Sequence, residues 1–239
     1  MDLGLAGAVV LVAGGSGYIG SAVAQQFVAE GARVIIAARD GQRLDAVAAR
    51  LGASVATRVM DTASADSVSA AIDGIVAECG RLDVAVLSAA PAAQTLDPAL
   101  GYDPDSILHA VDAKAMGYLR VANAVLPVMT AAGHGRLVLI DGQAALFTGN
   151  LTGSIRNRVV LTISKNLADA TAGTGVTVNC VHPGTVTDNP ARPLARGVSA
   201  EVTPAQVAAA VVFLASANAS AISGESIAIG HRTLGFLDG

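Results

Sequence analysis

Aromatic residues are scarce in this chain, 3% of 239 with no tryptophan. Ala, Val, Leu and Gly therefore carry the apolar mass, and hydrophobic residues reach 52%. Small residues let helices approach a sheet closely, so the composition leans towards a layered α/β domain. Cysteine is nearly absent too. Cys79 and Cys180 stand far apart in no C-x-x-C pattern, which argues against a zinc centre or a disulfide framework. Charge is thin, at 14% of residues with a net −4 and only two lysines. A general nucleic-acid binder shows a basic face, which this balance does not supply. No run of like charges makes a tail or a polybasic anchor. No stretch approaches eighteen apolar residues, so no membrane span is expected. Met1-Asp2-Leu3-Gly4 has an acid where a signal peptide has a basic region, so the expected location is cytoplasmic. Mean hydropathy of +0.55 excludes intrinsic disorder. At this length one domain can bury roughly 70–75% of its unfolded surface without a staple.

What is present alternates. Short apolar runs at Val9–Ala13, Arg33–Ala37, Val55–Val59, Val84–Leu87, Arg136–Ile140, Val176–Val181 and Ser226–Ile229 read as buried strands. Helical spacing fills Tyr18–Glu30, Arg43–Leu51, Ser67–Cys79, Asp105–Leu126, Ser154–Ala172 and Pro204–Ala215. Seven buried strands alternating with helices predict one Rossmann-type domain over residues 1–239, with a parallel sheet sandwiched between helices. Residues 185–203 lack periodicity and read as a substrate loop after strand six.

The first strand runs into Gly14-Gly15-Ser16-Gly17-Tyr18-Ile19-Gly20. Glycines three apart between a strand and a helix serve a tight turn, a close backbone approach and a helix N-terminus open to a pyrophosphate. From this point the chain resembles the short-chain dehydrogenase/reductase family over nearly its whole length. Arg33–Leu51 is similar to the family's second strand and helix. Asp61 matches the acid that meets the adenine. Val181-His182-Pro183-Gly184-Thr185-Val186 resembles its Pro-Gly turn. The glycine spacing resembles that of the extended members, while the length and C-terminus resemble the short ones. The resemblance implies cofactor contacts from Gly14, Ser16, Gly17, Tyr18, Ile19, Gly20, Arg39, Asp61, Ser88, Ala89, Asn157, Pro183 and Gly184. In the slot after strand two Ala38 replaces the usual NAD-binding carboxylate and Arg39 follows, which favours NADP(H) over NAD(H).

The family's chemistry rests on a Tyr-x-x-x-Lys pair with a Ser and an Asn. The three tyrosines, Tyr18, Tyr102 and Tyr118, are followed four residues later by Ala22, Ser106 and Ala122, so no such pair exists. Anchored on Ser164-Lys165, the Tyr and Lys slots hold Gly153 and Asn157; anchored on strand five, they hold Ile155 and Val159. The Ser slot reads Asp141-Gly142 and the Asn slot Asp112. Candidate reacting groups are Asp141, Asp112 and Ser154. Lys114 is expected at the surface. Arg156 and Arg158 lie two apart on a helix, so at most one faces the site. The apolar stretches Leu87–Leu100, Ala144–Leu151 and Pro190–Ala195 are expected to line a small-molecule pocket. The resemblance implies an oxidoreductase acting on a carbonyl or alcohol by an atypical route, paired as a homodimer or homotetramer. A non-redox cofactor-binding enzyme (isomerase or lyase) and a catalytically inactive partner protein remain the alternatives.

Overall fold

The computed structural model describes residues 2–90, 102–146, 148–196, 198–232 and 234. The strands are β1 Val9–Ala13, β2 Arg33–Ala38, β3 Val55–Val59, β4 Val84–Leu87, β5 Gly135–Ile140, β6 Val176–Pro183, β7 Thr185–Val186, β8 Glu201–Val202 and β9 Ser226–Ile229. The helices are α1 Tyr18–Ala29, α2 Gly41–Leu51, α3 Ala65–Cys79, α4 Pro104–Val111, α5 Gly117–Ala131, α6 Leu151–Ala170 and α7 Pro204–Ala215. Seven strands form one parallel sheet in the order β3-β2-β1-β4-β5-β6-β9, as the alternating pattern predicts.

Side chains alternate across each strand, so the sheet feeds two cores. Val9, Leu11 and Ala13 of β1 pack with Ile72 and Ile75 of α3, Val121 and Val125 of α5 and Val160 of α6. Val10 and Val12 face the other way, onto Val23 and Phe27 of α1 and Val207 and Val211 of α7.

Most helices start on a side-chain cap, which satisfies N–H groups that the helix cannot. Asp40, Ser64, Asp103 and Asn150 begin α2, α3, α4 and α6 in this way. Thr203 and Gln206 form a capping box on α7, with Pro204 in the first turn. Two helices lack one: α5 continues straight from the turn before it, and α1 starts on Gly17 with no side-chain cap.

Two expectations change. The single helix expected over Asp105–Leu126 is interrupted by a π-turn, Asp112–Met116, between α4 and α5. Such i→i+5 turns are frequent at functional sites. The loop expected over 185–203 contains the short parallel β7–β8 pair, anchored by Glu201, whose carboxylate accepts the backbone N–H groups of Ala191 and Arg192 at 2.9 Å. Residues 91–100 and 147, parts of the expected pocket wall, lie outside the described residues. No helix among the described residues is long and apolar enough to cross a membrane.

Candidate functional site

The strand order reverses direction between β1 and β4, and the crevice at such a point receives ligands in open α/β sheets. The glycine loop closes tightly there. Gly14 takes φ +87, and a Cβ on it would stand 2.5 Å from the backbone nitrogen of Ala89. A Cβ on Gly20 would overlap the Gly14 carbonyl and stand 2.8 Å from Ser88 Oγ. Ser88 ties the two strand ends together, its hydroxyl donating to the Ala13 carbonyl at 2.9 Å. Gly14, Gly20, Ser88 and Ala89 therefore form one close-packed unit below the bare start of α1. Ile19 packs against the core beneath it.

Of the other expected cofactor residues, Arg39, Asp61, Tyr18, Pro183 and Gly184 stand near this crevice or at strand ends, while Asn157 lies on α6 in the polar cluster described below. Arg39 is exposed just after β2. Its neighbour Asp40 is occupied capping α2, accepting from the Arg43 backbone at 3.1 Å. Asp61 turns the chain after β3 by accepting the Ala63 N–H at 3.0 Å. Tyr18 is half exposed, and Asp188 accepts from its hydroxyl, raising that phenol above its usual value. This contact joins the glycine loop to the segment after β7. Pro183 ends β6, and Gly184 leaves no room for a Cβ against the Ala200 carbonyl.

Further along the strand ends lies a buried polar cluster. Asp141, after β5, has a side chain fully removed from solvent. His182 of β6 is equally buried, and its Nδ1 approaches Asp141 Oδ1 to 3.4 Å. That is too long for a strong hydrogen bond. Among the described residues, neither carboxylate oxygen of Asp141 nor either ring nitrogen of His182 has a well-formed hydrogen-bond partner. Burial raises the Asp141 carboxyl, and His182 and Lys114 pull it back down. Cys180 is buried in the same cluster, and burial pushes its thiol well up. Asp141, Cys180 and His182 bring one ligand-type atom each within 4.8 Å of one another. The charges of Lys114 and Arg156 face the same space, so positive charge is already present where a divalent cation would have to sit.

Lys114 is the unexpected member. It is 4% exposed, not at the surface, and its Nζ donates to Asn157 Oδ1 at 2.8 Å. The π-turn carries it inward. Tyr118, a turn later, donates its hydroxyl to the Ile140 carbonyl at 2.9 Å and stands 6.0 Å from the ammonium at its ring centroid. Burial lowers Lys114 from 10.5 to about 8, against the attraction of Asp141. Helix α6 turns Thr152, Gly153, Arg156 and Asn157 inwards, while Ile155 and Val159 are only partly buried. Of the two registers open in the sequence, the inward face carries Gly153 and Asn157. Arg156 is buried and Arg158 exposed, as two-residue spacing requires.

Two candidates are placed away from the cluster. Asp112 points outwards and pairs with Arg120 at 2.6 Å, its side chain 47% exposed. Ser154 Oγ donates to the Asn150 carbonyl at 2.8 Å, within the first turn of its own helix. Asp141 alone of the three enters the cluster. A cavity of about 600 Å³ lies at the opposite ends of β5 and β6, lined by Arg136, Asp169, Gly175, Thr177 and Ser223. It is far from the strand ends where this sheet places its polar cluster.

With this geometry fixed, comparison with known proteins gives one answer. The family model described as Enoyl-(Acyl carrier protein) reductase matches residues 13–231. The chain is 32% identical to a D-threitol dehydrogenase of Mycolicibacterium smegmatis, covering 95% of this chain and 93% of the relative. It is 30% identical to Dehydrogenase/reductase SDR family member 4 of Bos taurus, covering 96% and 88%. The chain belongs to the short-chain dehydrogenase/reductase family. An L-sorbose reductase from Gluconobacter frateurii, solved with NADPH and L-sorbose, shares the fold of this family member at TM-score 0.87, over 99% of this chain and all of that one, with 22% identity. No tyrosine of the sequence is followed four residues later by a lysine, and the Lys114 ammonium reaches Asn157 of α6 from another element.

Proposed function

We propose that the protein is an NADP(H)-dependent oxidoreductase that interconverts a small carbonyl compound and its alcohol. The observation that carries this reading is the glycine unit: Gly14 and Gly20 sit where a Cβ cannot fit, and α1 begins without a cap. A helix start left bare offers unpaired N–H groups and a positive dipole to a pyrophosphate. Ser16, Gly17, Tyr18 and Ile19 would follow the phosphates, and Ser88, Ala89, Pro183 and Gly184 would wall the crevice. Asp61 would meet the adenine.

Bound nicotinamide supplies hydride chemistry. The chain's part is to hold the reacting carbonyl beside it. Asp141 cannot serve as an open base in this structure, because its carboxylate is sealed between β5 and β6. No tyrosine of the sequence is spaced to replace the usual donor, so the proton that completes the alcohol comes from solvent in this reading. A homo-oligomer accompanies it, as the family resemblance implies.

Arg39 would select NADP(H), since a guanidinium grips a phosphate with two parallel hydrogen bonds. Fluorescence titration is expected to show NADPH bound more tightly than NADH, with Arg39→Ala weakening NADPH about tenfold to a hundredfold, or about 1.4–2.8 kcal/mol. NADH binding should change little. Oxidation of NADPH by 2,3-butanedione, and reduction of NADP⁺ by D-threitol, then test turnover. Failure of the wild-type protein to bind either nucleotide would sink the reading.

A further inference from the structure

Lys114 and Asn157 approach from different elements, the π-turn before α5 and the second turn of α6. Lysine offers only donors, so the amide atom facing it must be the oxygen. The orientation of Asn157 is therefore set by chemistry. With Oδ1 committed at 2.8 Å, Nδ2 turns the other way. It lies 3.4 Å from the point where a Cβ on Gly142 would stand. Gly142 has no side chain, so among the described residues the amide Nδ2 faces room for about one heavy atom at the end of β5, beside Asp141.

We propose that Lys114 is a positioning residue that clamps Asn157, so that the Asn157 amide donates into the Gly142 gap and binds the substrate oxygen that gains negative charge on reduction. This rests on the oxidoreductase reading and names the group that holds its carbonyl. When a carbonyl carbon receives hydride, the C=O π pair moves to the oxygen, and a proton from water then completes the alcohol. A donor fixed in advance towards that oxygen is worth most in a site that excludes water. The ammonium behind the amide polarises it further. Asn157 is thus the catalytic residue, and Lys114 acts through it.

The polarity of the clamp depends on the ammonium. Deprotonated, the Lys114 amine gains a lone pair and no longer forces the amide oxygen towards it. The groups facing Lys114 are Asp141 from β5, Arg156 and Asn157 from α6, Cys180 from β6 and Tyr118 from its own helix, with His182 behind Asp141. Burial brings its titration down to about 8. A fall in kcat/KM above that pH is expected.

The chain has only two lysines, so ¹³Cε-lysine NMR of the full protein gives two signals, assigned with Lys165→Arg. Lys114 should titrate near pH 8, and Asn157→Leu should move that midpoint while leaving Lys165 alone. Lys114→Met should bind NADPH within threefold of wild type, lose at least a hundredfold in kcat/KM with 2,3-butanedione, and lose the alkaline limb of the pH profile. Asn157→Asp keeps an acceptor for Lys114 but removes the amide donors, and should lose as much. Exchanging the two, Lys114→Asn with Asn157→Lys, returns an N–H donor to the gap and should recover at least tenfold over either single variant. A folded Asn157→Asp protein with wild-type turnover overturns the proposal, as does a Lys114 signal that titrates with Lys165. A wild-type protein that binds no nucleotide instead overturns the parent reading, while a Lys114 signal that still titrates near pH 8 and moves in Asn157→Leu would leave the clamp itself standing.

Discussion

Gly20→Ala is expected to lose nucleotide binding by more than a hundredfold and to lower the thermal midpoint by about 6–12 °C. The added Cβ would overlap the Gly14 carbonyl and stand 2.8 Å from Ser88 Oγ. Neither neighbour can yield cheaply. Gly14 is held by a positive φ and by the Ala89 backbone, and its N–H donates to the Ala37 carbonyl at 2.7 Å. Ser88 is held by two bonds to the Ala13 carbonyl, from its N–H and its hydroxyl, each 2.9 Å. The strain must therefore spread into the contact between β1 and β4, at the point where the phosphate would lie. Overpacking of this kind costs about 3 kcal/mol, and each kcal/mol moves the midpoint of a chain this size by about 2–4 °C. Gly74→Ala is the control. It lies in α3 with only Arg58 Nε nearby, 3.9 Å from the new methyl, and removing a glycine from a helix should stabilise by about 0.5–1 kcal/mol. A Gly20→Ala protein that melts with wild type would show that the loop yields more easily than its packing implies. The thermal midpoint decides this whatever nucleotide binds.

The glycine loop was legible because each of its residues has a positional reason that the sequence displays. Close approach and a bare helix start need residues without side chains, and few other uses place three glycines after a buried strand. The sheet was legible for a similar reason: parallel strands covered on both faces read as unbroken apolar runs. Val9–Ala13 and Val84–Leu87 read in this way and match the structure to the residue; the edge strands Val55–Val59 and Ser226–Ile229, only partly buried, match too. The polar cluster was only half legible. Asp141 and His182 could be placed at strand ends, but nothing local says that both are sealed from water. Lysine is almost never fully buried without a partner, and the partner of Lys114 lies 43 residues away, out of local view. One signal was available. Ala110, Lys114, Tyr118, Val121 and Val125 are spaced four, four, three and four apart, which puts the lysine on the inward stripe of the long helical segment. Asp112, two residues earlier, falls off that stripe and meets Arg120 at the surface.

The same burial makes stability depend on pH in an unusual direction. Lys114 titrates at about 8 in the folded chain, against 10.5 for the free side chain. Between those values the unfolded chain keeps a proton that the folded chain has released. The unfolded state then binds more protons, so the free energy of unfolding rises with pH. Below pH 8 both states are protonated and the cost of the buried ammonium is paid in full. The gain expected from pH 7 to pH 10 is about 2.5 kcal/mol, following from a shift of about 2.5 pH units at about 1.36 kcal/mol each and not quite complete at pH 10. Cys180 works against it. Its thiol is held well above 9.0, so the unfolded chain loses that proton first and stability falls as pH rises past 9. Tyr118, held well above 10.0, adds to the fall at still higher pH. The clean measurement is therefore a difference. Urea unfolding of wild type and Lys114→Met at pH 7, 8, 9 and 10 leaves Cys180 and Tyr118 common to both chains. Lys114→Met also strands Asn157 Oδ1, but that penalty is the same at every pH. The difference in unfolding free energy should move in favour of wild type by about 2.5 kcal/mol across the series. A difference that stays flat would mean that Lys114 keeps an ordinary lysine titration, and that Asp141 neutralises the ammonium far more completely than their shared burial implies.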